Sequence, residues 1–207
     1  MACTPRFAAV PTYGCFVRGY LLVVPRRHVL AFGQLDPGEL AEAQILIDDL
    51  VARLKRVYGL PVLGFEYGLA AAGVRRIEHA HWHLVPSPAD LAGWLDERLA
   101  GRRIGSLVDL PAAASYIAVR TSGAGLRLYD VGHTADATHE VHSRIRLRRA
   151  LAALDPRVDD GAWDWAEQRH VELIRATVAE LGAHAEPAAH PPAPTHTRQP
   201  RSSRRRS

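Results

Sequence analysis

Cysteine is nearly absent: Cys3 and Cys15 are the only two. Two widely spaced thiols form neither a zinc-binding pair nor a disulfide framework, which argues against a stapled secreted scaffold. No apolar run approaches the roughly 20 residues that span a bilayer, so no membrane partner is expected. No basic start followed by an apolar stretch marks a signal peptide. A reducing cytoplasm is the expected setting. Internal repeats are also missing. The folded body lacks net charge too. The chain carries +4 overall, and the five arginines and one glutamate of residues 183–207 account for all of it. The basic pI therefore belongs to a tail and says little about the globule. What remains is an ordinary apolar content over a length suited to one domain, or one domain with an extension.

Several elements follow from local pattern. Residues 7–10 read as a short strand, Tyr13-Gly14 as a turn, and 16–24 as a longer strand ended by Pro25. Asp36 is a good N-cap, Pro37 fits the first helical position, and Glu39 completes a capping-box pattern. Leu40, Ala43, Ile47, Leu50, Leu54 and Val57 then form one apolar stripe. Gly59 can end this helix in a left-handed conformation, and Pro61 blocks its continuation. Residues 62–66 read as a strand and 68–76 as a loop. Asp90 closes a second cap signal, for a helix reaching about Ala100. Residues 115–120 and 126–131 pair as a hairpin around the turn at 122–125. Helices are expected at 141–154 and 163–181, with Gly182 as a stop. Proline, alanine, histidine and arginine dominate from 183 on, so 183–207 is expected to be a disordered tail.

The centre of the chain is Glu78-His79-Ala80-His81-Trp82-His83-Leu84-Val85-Pro86. Tryptophan, valine, leucine and a closing proline suit a strand. Alternation would place His79, His81 and His83 on one face, about 7 Å apart, with Ala80, Trp82 and Leu84 packed behind. Three readings fit this row: phosphorus chemistry with one imidazole as nucleophile, a metal site, or a polar strand face that happens to carry histidine.

His-Ala-His-Trp-His-Leu-Val resembles the His-x-His-x-His signature of the histidine triad (HIT) family of nucleotide hydrolases and transferases. Gly19-Tyr20-Leu21-Leu22-Val23-Val24-Pro25-Arg26-Arg27-His28 is similar to that family's upstream strand, and a capped helix lies between the two, as in the family. The resemblance runs from about Phe7 to Pro86. It implies an α+β fold with a HIT-like antiparallel sheet and flanking helices. To this the pattern adds a C-terminal hairpin and two-helix extension. The corresponding division is a catalytic domain at 1–110, an extension at 111–182 and the tail.

The resemblance also implies the chemistry. His81 would be the covalent nucleophile, with its other ring nitrogen bonded to a backbone carbonyl, and His79 and His83 would orient the phosphate. His28 would support the site from behind. The third histidine is similar to the hydrolase branches, where transferases often carry glutamine. The implied substrate is a nucleotide-like small molecule. No cofactor or metal is required, magnesium would accompany only a polyphosphate substrate, and a homodimer is a common family state. The sequence departs from the family between strand and triad. Glu66-Tyr67-Gly68 stands where an asparagine is expected, and Arg75-Arg76 stands near the usual hydroxyl residue. Arg75 and Arg76 are therefore candidate phosphate ligands. Glu66, if exposed, would repel phosphate unless it paired with an arginine or took a ribose hydroxyl. The extension resembles that of some bacterial HIT-like proteins, with an arginine-rich stretch at 143–149 and Trp163-Asp164-Trp165. Arg144, Arg146, Arg148 and Arg149 read as a solvated helix face, the alternative being that one or two lean over the phosphate site, and Trp163 and Trp165 read as packing residues. His133, His139 and His142 lie near Asp136 without a recognisable metal spacing. The arginine tail reads as solvated rather than as a nucleic-acid contact.

Overall fold

The structure, a computed structural model, describes residues 2–73, 77–121, 123, 125–159 and 161–183. The expected tail therefore lies outside the described residues. Seven strands build one antiparallel sheet: β1 (Phe7–Pro11), β2 (Leu21–Pro25), β3 (Val62–Gly68), β4 (Trp82–Pro86), β5 (Gly101–Ile104), β6 (Ser115–Thr121) and β7 (Gly125–Gly132). Their order is β1-β2-β4-β3-β6-β7-β5. With helices packed on the sheet, the fold is the expected α+β class. The sheet does not stop at residue 110, because β6 pairs with β3 from Gly64↔Arg120 to Gly68↔Tyr116.

Helix α1 (Pro37–Tyr58) obeys its local signals. The Asp36 side chain accepts from the Glu39 N–H at 2.8 Å, and Glu39 accepts from the Asp36 N–H at 3.0 Å. Gly59 closes the helix at φ 65°, the left-handed conformation a side chain would resist. The apolar stripe buries Leu40, Ala43, Ile47, Leu50 and Leu54 against one sheet face, where Trp82, Leu84 and Tyr116 receive it. Two glycines inside β3 make room on that face. A Cβ on Gly64 would sit 2.7 Å from the Trp82 indole nitrogen, and one on Gly68 would strike the Tyr116 ring. Glycine in a strand here marks close packing.

The other face carries Phe16, Tyr20, Leu63, Phe65, Val85, Ile117, Val119 and Tyr129. Helices α2 (Leu91–Asp96) and α4 (Leu147–Leu154) supply Leu91, Leu95, Leu147 and Leu151 to it, and Ile145, just past α3 (Ala135–Arg144), joins them. A last helix, α5 (Val171–Ala183), meets α1 and β1.

Several expectations are corrected. The strand before Pro25 starts at Leu21, not at residue 16. Gly19 takes φ 78°, breaks the extended path, and donates its N–H to Thr177 Oγ1 at 2.9 Å. The helix after Asp90 stops at Asp96, and residues 101–104 form an edge strand that two charged residues in four disguised. The extension has three helices where two were expected. Extended backbone at Ile145 separates α3 from α4 and turns Ile145 and Leu147 inward. Residues 163–170 are turns and irregular backbone. The Asp164 carboxylate accepts from Ala166 N–H at 3.0 Å, a local bond that competes with helix formation.

Candidate active site

His83 is the one triad residue inside a strand. It faces away from α1 and lies opposite Phe65 in the register. The two rings stack 4.3 Å apart at 9°. Tyr20, fully buried, places its hydroxyl 2.8 Å from His83 Nδ1. These contacts hold the His83 ring from its face and its edge.

His81 precedes the strand and is half-buried. Its ring meets His83 edge-to-face at a centroid distance of 4.8 Å. Its Nδ1 lies 2.6 Å from the carbonyl oxygen of His79. A carbonyl only accepts, so Nδ1 carries the hydrogen, and the neutral ring keeps its lone pair on Nε2. The His79 ring turns toward the end of β2, where Nε2 lies 2.8 Å from the Pro25 carbonyl and can only donate to it. His28 meets it edge-on at 5.2 Å.

The expected single strand face is thus corrected. His79 and His81 lie in the approach to β4, outside the ladder. Their placement comes from backbone carbonyls of Pro25 and His79 rather than from strand alternation.

Glu66 is not an exposed carboxylate beside a phosphate. It is 1% exposed and points to the α1 face. One oxygen accepts from the Phe32 N–H at 2.9 Å, and the other from the Tyr116 hydroxyl at 2.5 Å. That hydroxyl in turn accepts from the Gly33 N–H at 3.0 Å. The carboxylate anchors the short 3-10 turn at Phe32–Gln34 to the sheet. Burial and the neighbouring Glu66 charge push the Tyr116 hydroxyl well above its ordinary pKa. Arg75 and Arg76, the candidate phosphate ligands, lie outside the described residues.

The arginine-rich stretch divides. Arg144, Arg146 and Arg149 are exposed, and Arg149 lies 5.8 Å over the Trp163 ring. Arg148 is half-buried instead. It donates to the Gly14 carbonyl, and to the Trp163 carbonyl at 2.8 Å, while its guanidinium sits 5.8 Å over Phe16. Phe16 meets Tyr20 edge-on at 5.3 Å. Sequence reasoning missed Tyr20, Phe65 and Arg148. A tyrosine at the head of an apolar strand carries a signal, because a buried hydroxyl needs a partner. Arg148 carries none, since its three arginine neighbours hide it.

His142 meets Tyr67 edge-on at 5.2 Å and does not converge with His133 and His139. Among the described residues no three His, Cys, Asp or Glu side chains are gathered as metal ligands. A cavity of about 480 Å³ opens where Lys55 of α1 approaches Arg103, Arg120 and Gly125 of the sheet. Among the described residues no histidine lines it, so it lies apart from this site. Among the described residues, no helix is long and apolar enough to cross a membrane.

No curated protein matches the chain. Residues 4–89 match the family model for the HIT domain, a span that holds β1 to β4, α1 and all four histidines of the site, while β5 to α5 fall beyond it. It is through this stretch that the chain is similar to the histidine triad family.

Proposed function

We propose that this protein hydrolyses a phosphate ester, anhydride or phosphoramidate of a nucleotide-like substrate through a covalent intermediate on His81. The family comprises nucleotide hydrolases and transferases. The observation that carries the finer reading is the 2.6 Å contact between His81 Nδ1 and the His79 carbonyl. It fixes the tautomer that leaves Nε2 nucleophilic without a base to deprotonate it.

The reaction runs in two displacements. The Nε2 lone pair attacks phosphorus, a P–N bond forms, and the bond to the leaving group breaks with the electron pair going to that group, which takes up a proton. Water then attacks phosphorus, loses a proton, and the P–N electrons return to Nε2. His83 stands beside the attacking ring and orients the phosphate, while His79, its Nε2 donating to the Pro25 carbonyl, positions the backbone carbonyl that holds His81. His28 packs on His79 and holds it from behind. No metal enters either displacement. Histidine at position 83, where transferase branches often carry glutamine, supports water as the acceptor.

Rapid acid-free quenching with a substrate labelled in its α-phosphate tests this. Wild type should carry label that acid removes and base spares, and His81→Ala should carry none. His79→Ala and His83→Ala should turn over more slowly by about 10²-fold or more, the usual worth of an orienting donor. A turnover that chelator stops and added metal restores, with no adduct at any time, would show a metalloenzyme instead.

A further inference from the structure

We infer that Tyr20 is a positioning residue that holds His83 as the neutral tautomer with its hydrogen on Nε2, opposite to the tautomer of His81. The argument rests on donor and acceptor count. Tyr20 is fully buried, and a buried hydroxyl hydrogen without an acceptor is costly. The hydroxyl lies 2.8 Å from His83 Nδ1. The charge of the Arg148 guanidinium also acts on it, and a guanidinium has donors only. Among the described residues, Nδ1 is therefore the acceptor that the Tyr20 O–H meets.

If Tyr20 donates, Nδ1 of His83 carries no hydrogen. A neutral ring then bears it on Nε2, the nitrogen away from Tyr20. A hydrogen on Nδ1 would instead set a second donor against the Tyr20 O–H, so the contact fits the ring with its hydrogen on Nε2. Burial keeps the Tyr20 hydroxyl protonated far above neutral pH, and the Arg148 charge opposes part of that shift. The stack on Phe65 fixes the ring plane.

Two adjacent imidazoles thus carry opposite tautomers by separate devices. A backbone carbonyl leaves His81 Nε2 with a lone pair, and a tyrosine gives His83 Nε2 a hydrogen. Under the proposed function, the first attacks phosphorus and the second donates to a phosphoryl oxygen. Only that catalytic consequence rests on the proposed function. The tautomers do not.

The test is nuclear magnetic resonance of the full chain with isotope-labelled histidine, the two residues assigned through His81→Gln and His83→Gln. Long-range proton–nitrogen correlations should show a pyridine-like Nδ1 in His83 and a pyridine-like Nε2 in His81. A hydrogen on Nδ1 of His83 in the wild type would overturn the inference. Tyr20→Phe should turn His83 toward a mixture of tautomers, and should lower kcat about tenfold with KM little changed, since one transition-state donor is then only partly available. An unaltered His83 spectrum in Tyr20→Phe would also overturn it. Opposite tautomers without a labelled adduct would leave this inference standing and remove the covalent mechanism.

Discussion

The two faces of the sheet are closed by different chemistry. The α1 face is sealed mainly by apolar side chains, most of them from residues 4–89 and joined by Leu107, Tyr116 and Leu128, with Trp82, Leu54 and Phe32 wholly buried. The histidine face has an apolar floor as well, but its cover is tied down by polar bonds from residues beyond 89. Arg148 reaches the Gly14 carbonyl, Tyr67 donates to the Thr138 carbonyl, and Thr177 accepts from Gly19. Ser87 donates to Asp155 at 2.7 Å, and Arg157 reaches the Pro86 carbonyl at 2.8 Å. Burial holds an apolar face closed without direction. Hydrogen bonds fix groups at defined distances, which suits a face whose histidines must keep one geometry.

The contrast is sharpest at Trp82 and His83, neighbours on one strand that point to opposite faces. Trp82→Ala should cost about 3–5 kcal/mol, the usual loss for a large buried aromatic. Chemical denaturation measures it. The opposite tautomers of His81 and His83 should persist in the folded fraction, because Tyr20 and Phe65 hold the other face. A loss below about 1 kcal/mol would mean that the α1 face does not depend on burial.

Legibility in the sequence followed the same division. On the α1 face, cap, stripe and stop were local signals, and Asp36, Glu39 and Gly59 sit as those signals require. The histidine row was also readable, since three histidines at alternate positions are conspicuous. Its geometry was not. Strand alternation suggested a common face, whereas the carbonyls of His79 and Pro25 set two of the rings. Partners distant in sequence escaped. Tyr20 and His83 lie 63 residues apart, and Glu66 and Tyr116 lie 50 apart. A local pattern holds no information on such pairs. Glu66 shows the cost: in sequence it stood as a charge beside phosphate, and in the fold it is a buried acceptor.

Asp155 tests the polar closure through pH. Burial works to raise its pKa, but hydrogen bonds from Arg157 and Ser87 overcome this and hold the carboxyl below its usual range. A carboxylate depressed in the folded state stabilises at pH values above its unfolded pKa, near 3.9. That contribution is lost as pH falls through the lower folded value. Asp155→Asn should therefore cost about 1.5–3 kcal/mol at pH 7, as for hydrogen bonds to a charged group. The gap to wild type should hold down to about pH 5 and narrow below about pH 4. Denaturation curves across this range measure it. A gap independent of pH would mean that the charge of Asp155 contributes nothing to closure.

Cys15 reports the opening of the histidine face without altering it. Its thiol is 1% exposed and packs in the apolar cluster that holds Tyr20 and Phe65. Burial pushes its pKa up to about 11, with the Arg148 charge working the other way. Little thiolate exists at neutral pH, and thiolate is the reactive form. Cys3 is exposed. A maleimide reagent at pH 7 should modify Cys3 rapidly, while Cys15 should react only when the face opens. Its rate then measures local opening, which can lie well below the global unfolding free energy. Asp155→Asn should speed Cys15 labelling more than Trp82→Ala does for the same loss of global stability, because Asp155 ties the cover on that side. Equal acceleration by the two variants would show that both faces open together, as one cooperative unit, and would end the distinction between an apolar seal and a polar latch.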